Sequence, residues 1–194
     1  SMGSGSSGRS FFPGMVKWET DDHGSSKIFQ LCVPEWNLCD TVLLLSEEEK
    51  AVPSSIGHLK APESPLFFPR LAVLSERIHM LEKFLETRNI EAIGTLLETE
   101  ALEMHAIMMS SEWEGKRINY LTAETIDWLS WLRETRQKEK LMAYFTLDAG
   151  PNLHIICEQK DKEKLVELIR KKSPQQDLLQ DKWGVCPDVR EVLR

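Results

Sequence analysis

The sequence predicts an α+β fold in which helices pack on a mostly antiparallel sheet, close to a split βαβ plan with extra helices. The first observation is the order of the elements: one buried strand, several helices, two strands, a helix and a last strand. The second is the hydrophobic period, which changes from strand-like runs to helical spacing and back along the chain. The third is a strand–turn–strand passage around Asp148.

The N-terminal part begins with a hairpin and a buried strand. Residues 15–19 alternate like a strand, and residues 28–33 follow a polar turn as the second strand of the hairpin. Residues 41–46 are a continuous apolar run, which is typical of a central strand. Residues 52–58 are rich in small side chains and predict either an anion site or a simple turn. Residues 61–69 contain three prolines and predict a stiff loop.

Helices dominate the middle of the chain. Apolar residues recur at helical spacing over residues 71–85 and again over residues 90–108. Thr122 is a good capping residue for a third helix. After the turn at Asp148, residues 162–172 form an amphipathic pattern that predicts a fourth helix, and residues 189–193 predict the final strand.

Composition excludes several classes of protein. The chain has 194 residues, of which 41% are hydrophobic and 28% charged, as in an ordinary soluble globular protein. A net charge of −7 argues against a broad nucleic-acid surface. The longest apolar run, residues 41–45, is far too short to cross a membrane. The four cysteines have no CxxC pair, and no secretory signal is present, which together predict reduced thiols in a cytoplasmic protein.

Asp148 is a lone carboxylate between a buried strand and a turn that contains Gly150 and Pro151. Such a place holds a carboxylate rigidly and partly desolvated, as a catalytic base requires. The structural alternative is that Asp148 only accepts hydrogen bonds from the turn amides. His79 and His105 lie on predicted helices with no Cys or His at metal spacing, so no metal site is predicted and both are read as packed or surface residues.

Residues 3–10 also have two readings. Ser1 and Met2 resemble the remainder of a removed expression tag and are left out of the predicted fold. By composition, residues 3–10 form a flexible linker. By chemistry, they form an anion cradle, in which glycines admit phosphate, serines donate to it and Arg9 adds a forked cation.

Several motifs in order give the chain a resemblance to diphosphomevalonate decarboxylases. Residues 3–19, GSGSSGRSFFPGMVKWE, resemble the family signature GSGSACRSLFGGFVEWE, and residues 144–152, YFTLDAGPN, resemble AYTFDAGPN. Between them, residues 52–57 resemble DVSSTQG and residues 104–106 resemble FHA. Residues 183–187 are similar, more weakly, to the family's last glycine-rich turn. The first match favours the anion cradle over the linker.

The resemblance implies a function and a set of site residues. The family converts mevalonate 5-diphosphate to isopentenyl diphosphate, phosphate and CO₂ with ATP and Mg²⁺. Asp148 would then take the proton of the C3 hydroxyl, and Arg9 would hold the substrate carboxylate. Ser4 and Ser6 would bind the diphosphate, and Ser54 would line the same pocket. The substrate is a small molecule, with no nucleic acid and no membrane involved, and the family's usual homodimer is the implied assembly.

The resemblance also implies the domain organisation. The family belongs to the galactokinase–homoserine kinase–mevalonate kinase superfamily, whose second domain is ferredoxin-like. Residues 3–34 would be the tail of the N-terminal, ATP-binding domain and residues 35–194 the C-terminal ferredoxin-like domain. The ATP loop of the family has no counterpart in this sequence, so the chain alone is expected to be inactive. The alternatives are a related mevalonate-type kinase that does not decarboxylate and a non-catalytic paralogue that binds isoprenoid diphosphates.

Overall fold

A computed structural model describes residues 15–20, 26–31, 34, 36–46 and 51–182. Eight strands and five α-helices lie in these ranges. The strands are β1 (Val16–Thr20), β2 (Ser26–Gln30), β3 (Leu38–Leu43), β4 (Glu112–Trp113), β5 (Lys116–Arg117), β6 (Ala143–Leu147), β7 (Leu153–Glu158) and β8 (Leu178–Lys182). The helices are α1 (Ser54–Lys60), α2 (Phe67–Glu86), α3 (Ile90–Ser110), α4 (Ala123–Glu139) and α5 (Gln159–Lys172).

The main sheet has four strands in the order β6-β7-β3-β8, and every neighbouring pair is antiparallel. Helices connect β3 to β6, a tight turn connects β6 to β7, and α5 connects β7 to β8. This is the split βαβ, ferredoxin-like plan with added helices, so the predicted fold class is confirmed. The predicted hairpin is confirmed as well, because β1 pairs with β2 in a separate antiparallel sheet.

One face of the sheet carries the principal core. Alternate residues of β3, β6 and β7 point to this face, as the two-residue period of a strand requires. They pack against α3, α4 and α5, and Trp128, Leu132, Leu165 and Ile169 are among the helical side chains of the cluster. Cys39 and Cys157 face each other here across β3 and β7, both fully buried. Burial raises the pKa of the Cys157 thiol to about 12, so the thiol form predominates at neutral pH.

Helix α3 packs along the outer edge of β6, which is the last strand on this side of the main sheet among the described residues. The buried Glu98 carboxylate accepts a hydrogen bond from the Phe145 backbone N–H at 3.4 Å. Arg136 of α4 donates to the Ala143 carbonyl at 3.1 Å and to Glu98 at 2.5 Å. Two backbone groups of the β6 edge are therefore satisfied by side chains, which protects the edge and anchors the strand that leads to Asp148.

Gly94 lets α3 approach this edge closely. A Cβ added at Gly94 would lie 1.9 Å from Cγ of the Tyr144 ring. Alanine normally stabilises a helix interior relative to glycine by up to about 1 kcal/mol. Here the overlap with a buried ring is larger than that gain, because the core cannot move away without losing its packing.

Gly94→Ala is therefore expected to lower the free energy of unfolding by about 1–3 kcal/mol, measured by urea denaturation. The double variant Gly94→Ala/Tyr144→Ala is the control, since it removes the ring that the new methyl group would meet. If Gly94→Ala alone is as stable as the unchanged chain or more stable, the close approach of α3 to Tyr144 is contradicted.

Some predicted boundaries were wrong, and each error has a local cause. Strand β3 ends at Leu43, not at 46, because Asn152 Oδ1 accepts the N–H groups of Leu45 and Ser46 at 2.9 and 3.1 Å. Residues 52–58 are not a turn but lead into helix α1, with Pro53 as its N-cap.

The proline-rich stretch at 61–69 was also predicted wrongly as a loop. It begins with a 3₁₀ turn (Ala61–Glu63), and Pro69 lies in the first turn of α2. Proline is compatible with these positions, because the first N–H groups of a helix have no partner inside it. The predicted final strand at 189–193 lies outside the described residues, and the sequence did not predict β8.

Candidate active site

Asp148 is exposed at the end of β6, directly after the buried Leu147. The turn that carries it, residues 148–152, is fixed from two sides. Asn152 accepts the two N–H groups after β3, as described above, and the Pro151 carbonyl accepts a hydrogen bond from Thr125 Oγ1 at 3.0 Å. Asp148 therefore presents an accessible carboxylate on a turn held by β3 and α4, which suits a group that must be both rigid and reachable.

The contact from α4 depends on how that helix begins. Thr122 accepts the Thr125 N–H at 3.1 Å, and Thr125 Oγ1 accepts the Thr122 N–H at 3.4 Å. This reciprocal capping box confirms the predicted start of the helix at Thr122. Thr125 is fully buried, and its hydroxyl is free to donate onward to Pro151. The cap of α4 thus becomes a support for the turn of Asp148.

Two histidines lie near Asp148, one buried and the other partly exposed. His105 of α3 is fully buried, and burial lowers its pKa, whereas the backbone and the charge of Asp148 act to raise that pKa. His154 of β7 is partly exposed, and its Nδ1 lies 2.8 Å from Asp40 Oδ2. The hydrogen bond to Asp40 raises the pKa of His154, and the charge of Asp148 adds to this effect.

The pair of Asp40 and His154 was missed by sequence reasoning. In the register of β3 and β7, Asp40 lies opposite Ile156 and Val42 lies opposite His154, so Asp40 and His154 are diagonal neighbours on one face. That relation depends on which residues pair, which a single sequence does not reveal. Had the pairing of β3 with β7 been known, the alternation of side chains along each strand would have placed Asp40 and His154 on the same face.

Ser54 is the first residue of α1 and is exposed. Tyr120 packs against this helix. Its hydroxyl donates to the Pro53 carbonyl at 3.4 Å, and a Cβ added at Gly57 would lie only 2.6 Å from the Tyr120 hydroxyl oxygen. Val52 and Ala149 pack on the same apolar cluster, which includes Tyr120. The structure thus places the start of α1 and the turn of Asp148 on one cluster, while Ser4, Ser6 and Arg9 lie outside the described residues.

The described residues were also searched for metal and membrane features. Within them, no group of three or more His, Cys, Asp or Glu side chains is arranged to hold a metal ion. Among the helices of the same residues, none is long and apolar enough to span a bilayer.

The strand order and the connections define a ferredoxin-like α+β domain, with an exposed aspartate on the turn after its edge strand β6. Residues 41–188 match the family described as mevalonate 5-diphosphate decarboxylase C-terminal domain, which is more than half of the chain. The chain belongs to this family.

Two individual relatives are similar to this chain over most of its length. The diphosphomevalonate decarboxylase of Candida albicans is 30% identical over 176 residues, covering 87% of this chain and 48% of the relative. The mevalonate pyrophosphate decarboxylase of Streptococcus pyogenes is 28% identical with a TM-score of 0.73, covering 87% of this chain and 50% of that chain.

A third comparison is with the structure of MDDEF in complex with MVAPP, AMPPCP and magnesium. It has a TM-score of 0.83 over 93% of this chain and 55% of that chain, and at 23% identity it shows the fold alone. The chain spans about half the length of the curated relatives it matches.

Proposed function

We propose that this chain is the C-terminal half of an enzyme that decarboxylates mevalonate 5-diphosphate to isopentenyl diphosphate with consumption of ATP. The observation that carries the proposal is the exposed Asp148 on a doubly supported turn, in a chain that belongs to the decarboxylase C-terminal family. This decarboxylation requires that the tertiary C3 hydroxyl become a leaving group, and a carboxylate near that hydroxyl assists its attack on ATP.

The proposed chemistry has three steps. Asp148 accepts the proton of the C3 hydroxyl while the oxygen attacks the γ-phosphate, and ADP leaves. The C3–O bond then breaks and releases phosphate. The electron pair of the bond between the carboxylate carbon and C2 forms the new double bond to C3, and CO₂ leaves.

The other predicted residues complete the proposed site. Arg9 holds the substrate carboxylate, because a guanidinium binds a carboxylate with two parallel hydrogen bonds. Ser4 and Ser6 bind the diphosphate through their hydroxyl groups, and Ser54 lines the same pocket. Ser54 is exposed at the start of α1, as this role requires.

ATP and Mg²⁺ are proposed as the cosubstrate and metal of the complete enzyme. The complex of MDDEF with AMPPCP and magnesium supports their use in the family. Magnesium is usually held by substrate phosphates and water with one or two carboxylates, so a preformed cluster of protein ligands is not needed. Residues 3–34 are proposed to belong to the ATP-binding domain and residues 35–194 to the ferredoxin-like domain. The complete enzyme is proposed to be a cytoplasmic homodimer.

The proposal is tested by a coupled assay for ATP-dependent CO₂ release from mevalonate 5-diphosphate. The assay is run on this chain and on the chain extended at its N-terminus by an ATP-binding domain. We expect release by the extended protein and none by the chain alone. Tight binding of the diphosphate without turnover in the extended protein would instead indicate a non-catalytic paralogue.

Arg9→Gln is expected to raise the KM for mevalonate 5-diphosphate and to lower kcat in the extended protein, each by roughly tenfold or more, because a charged hydrogen-bond pair is worth about 1.5–3 kcal/mol. Steady-state kinetics with both substrates varied measure this, and the KM for ATP should stay within about twofold. Unchanged kcat and KM would remove Arg9 from the substrate site.

A further inference from the structure

His105 is a fully buried polar side chain that the proposed chemistry does not use. Neither of its ring nitrogens has a well-aligned hydrogen-bond partner among the described residues. Burying such a group without full compensation lowers the stability of the folded state. Buried polar groups of this kind therefore need an explanation other than stability.

The surroundings of the ring supply one. The backbone and the charge of Asp148 both act on the pKa of His105, so the turn of Asp148 lies close to the imidazole. The imidazole also meets the ring of Tyr120 edge to face, with centroids 6.3 Å apart and planes at 77°. His105 therefore lies close to both the turn of Asp148 and an aromatic ring.

Tyr120 continues the contact to helix α1. The Tyr120 hydroxyl donates to the Pro53 carbonyl at 3.4 Å. It also lies so close to Gly57 that a Cβ there would be 2.6 Å from the hydroxyl oxygen. Ala149, next to Asp148, packs on the same cluster. A continuous line of contacts therefore runs from the turn of residues 148–152, through His105 and Tyr120, to the helix that begins at Ser54.

We propose that His105 is a positioning residue. It holds the turn of Asp148 at a fixed position relative to α1, so that Asp148 and Ser54 contact the same substrate. A displacement of about 1 Å between a catalytic group and its substrate can reduce turnover about 10²-fold. The kinetic part of this inference rests on the proposed function, whereas its structural part does not.

Two substitutions separate positioning from packing. His105→Phe keeps a ring of similar size and removes both nitrogens, and His105→Gln keeps a donor on a flexible chain. Amide hydrogen exchange of residues 148–152 and 54–60, thermal denaturation and steady-state kinetics of the extended protein are compared with those of His79→Phe. His79 is an exposed histidine on α2, which makes it a matched control.

For His105→Phe we expect a Tm within about 4 °C of the unchanged protein, which corresponds to about 1 kcal/mol. Exchange of both segments should be faster by about fivefold or more, because the turn and the helix lose their common support. Turnover should fall by about tenfold or more at a KM within about threefold, and His105→Gln should recover most of that loss. His79→Phe should change none of these values.

Unchanged exchange in both segments of His105→Phe would overturn the inference. It would also be overturned if exchange rose throughout the chain in proportion to a large fall in Tm, with no recovery by His105→Gln. If the unchanged protein shows no turnover, the proposed function fails and the exchange measurement still decides the role of His105. If the unchanged protein turns over and His105→Phe does so within twofold, only this inference fails.

Discussion

Replacing Asp148 with asparagine in the extended protein is expected to reduce the release of ADP and phosphate by roughly 10²–10⁴-fold, the usual contribution of a positioned acid or base. Asparagine has nearly the same shape as aspartate, and the turn is held by Asn152 and Pro151, so the geometry should survive. Binding of mevalonate 5-diphosphate, measured by calorimetry, should stay near normal. The loss would therefore appear in kcat.

A matched substitution controls for the loss of one negative charge. Asp127 is an exposed aspartate on α4 that pairs with Lys172 at 2.5 Å, and such surface pairs contribute about 0–1 kcal/mol. Asp127→Asn should leave turnover within about twofold. If Asp148→Asn also keeps turnover within about tenfold, Asp148 is not the base.

Glu98→Ala is expected to have the largest effect on stability. The Glu98 side chain is 7% exposed and accepts hydrogen bonds from Arg136, Arg133 and the Phe145 N–H. Removing it leaves the partly buried Arg136 without its carboxylate and an edge amide of β6 without an acceptor. Breaking a buried pair on one side costs about 3–5 kcal/mol, because the remaining charge is left uncompensated.

Urea denaturation and thermal melting measure this loss, which for a chain of this size corresponds to a fall in Tm of about 10 °C. Glu167→Ala is the control, since Glu167 forms an exposed pair with Lys171 one helical turn away. It should change the free energy of unfolding by less than about 0.5 kcal/mol. A loss below about 1 kcal/mol in Glu98→Ala would show that the carboxylate is not what holds the β6 edge.

The long elements could be predicted because their patterns are local. Helices α2 to α5 show apolar residues at helical spacing, and Thr122 marks the start of α4 as predicted. Helix α1 was missed because its seven residues include Ser54, Ser55 and Gly57, which are poor signals for a helix. It is held instead by contacts with Tyr120, a residue far away in sequence.

The candidate site was predictable only in part, for a related reason. Asp148 stands out locally as a carboxylate between a strand and a turn. The surroundings of His154 depend on strand register and those of His105 on the packing of α3, and both involve residues distant along the chain. The assignments of Ser4, Ser6 and Arg9 stay predictions, because these residues lie outside the described ranges.

The most direct test of the proposed reaction compares two products of the extended protein. Mevalonate 5-diphosphate labelled in its carboxylate carbon is incubated with ATP and Mg²⁺, and labelled CO₂ and ADP are measured together over time. The proposed decarboxylation predicts equal amounts of CO₂ and ADP, with both lost in Asp148→Asn. Formation of ADP without CO₂ would contradict it and indicate a kinase, and the absence of both products would contradict an enzymatic role.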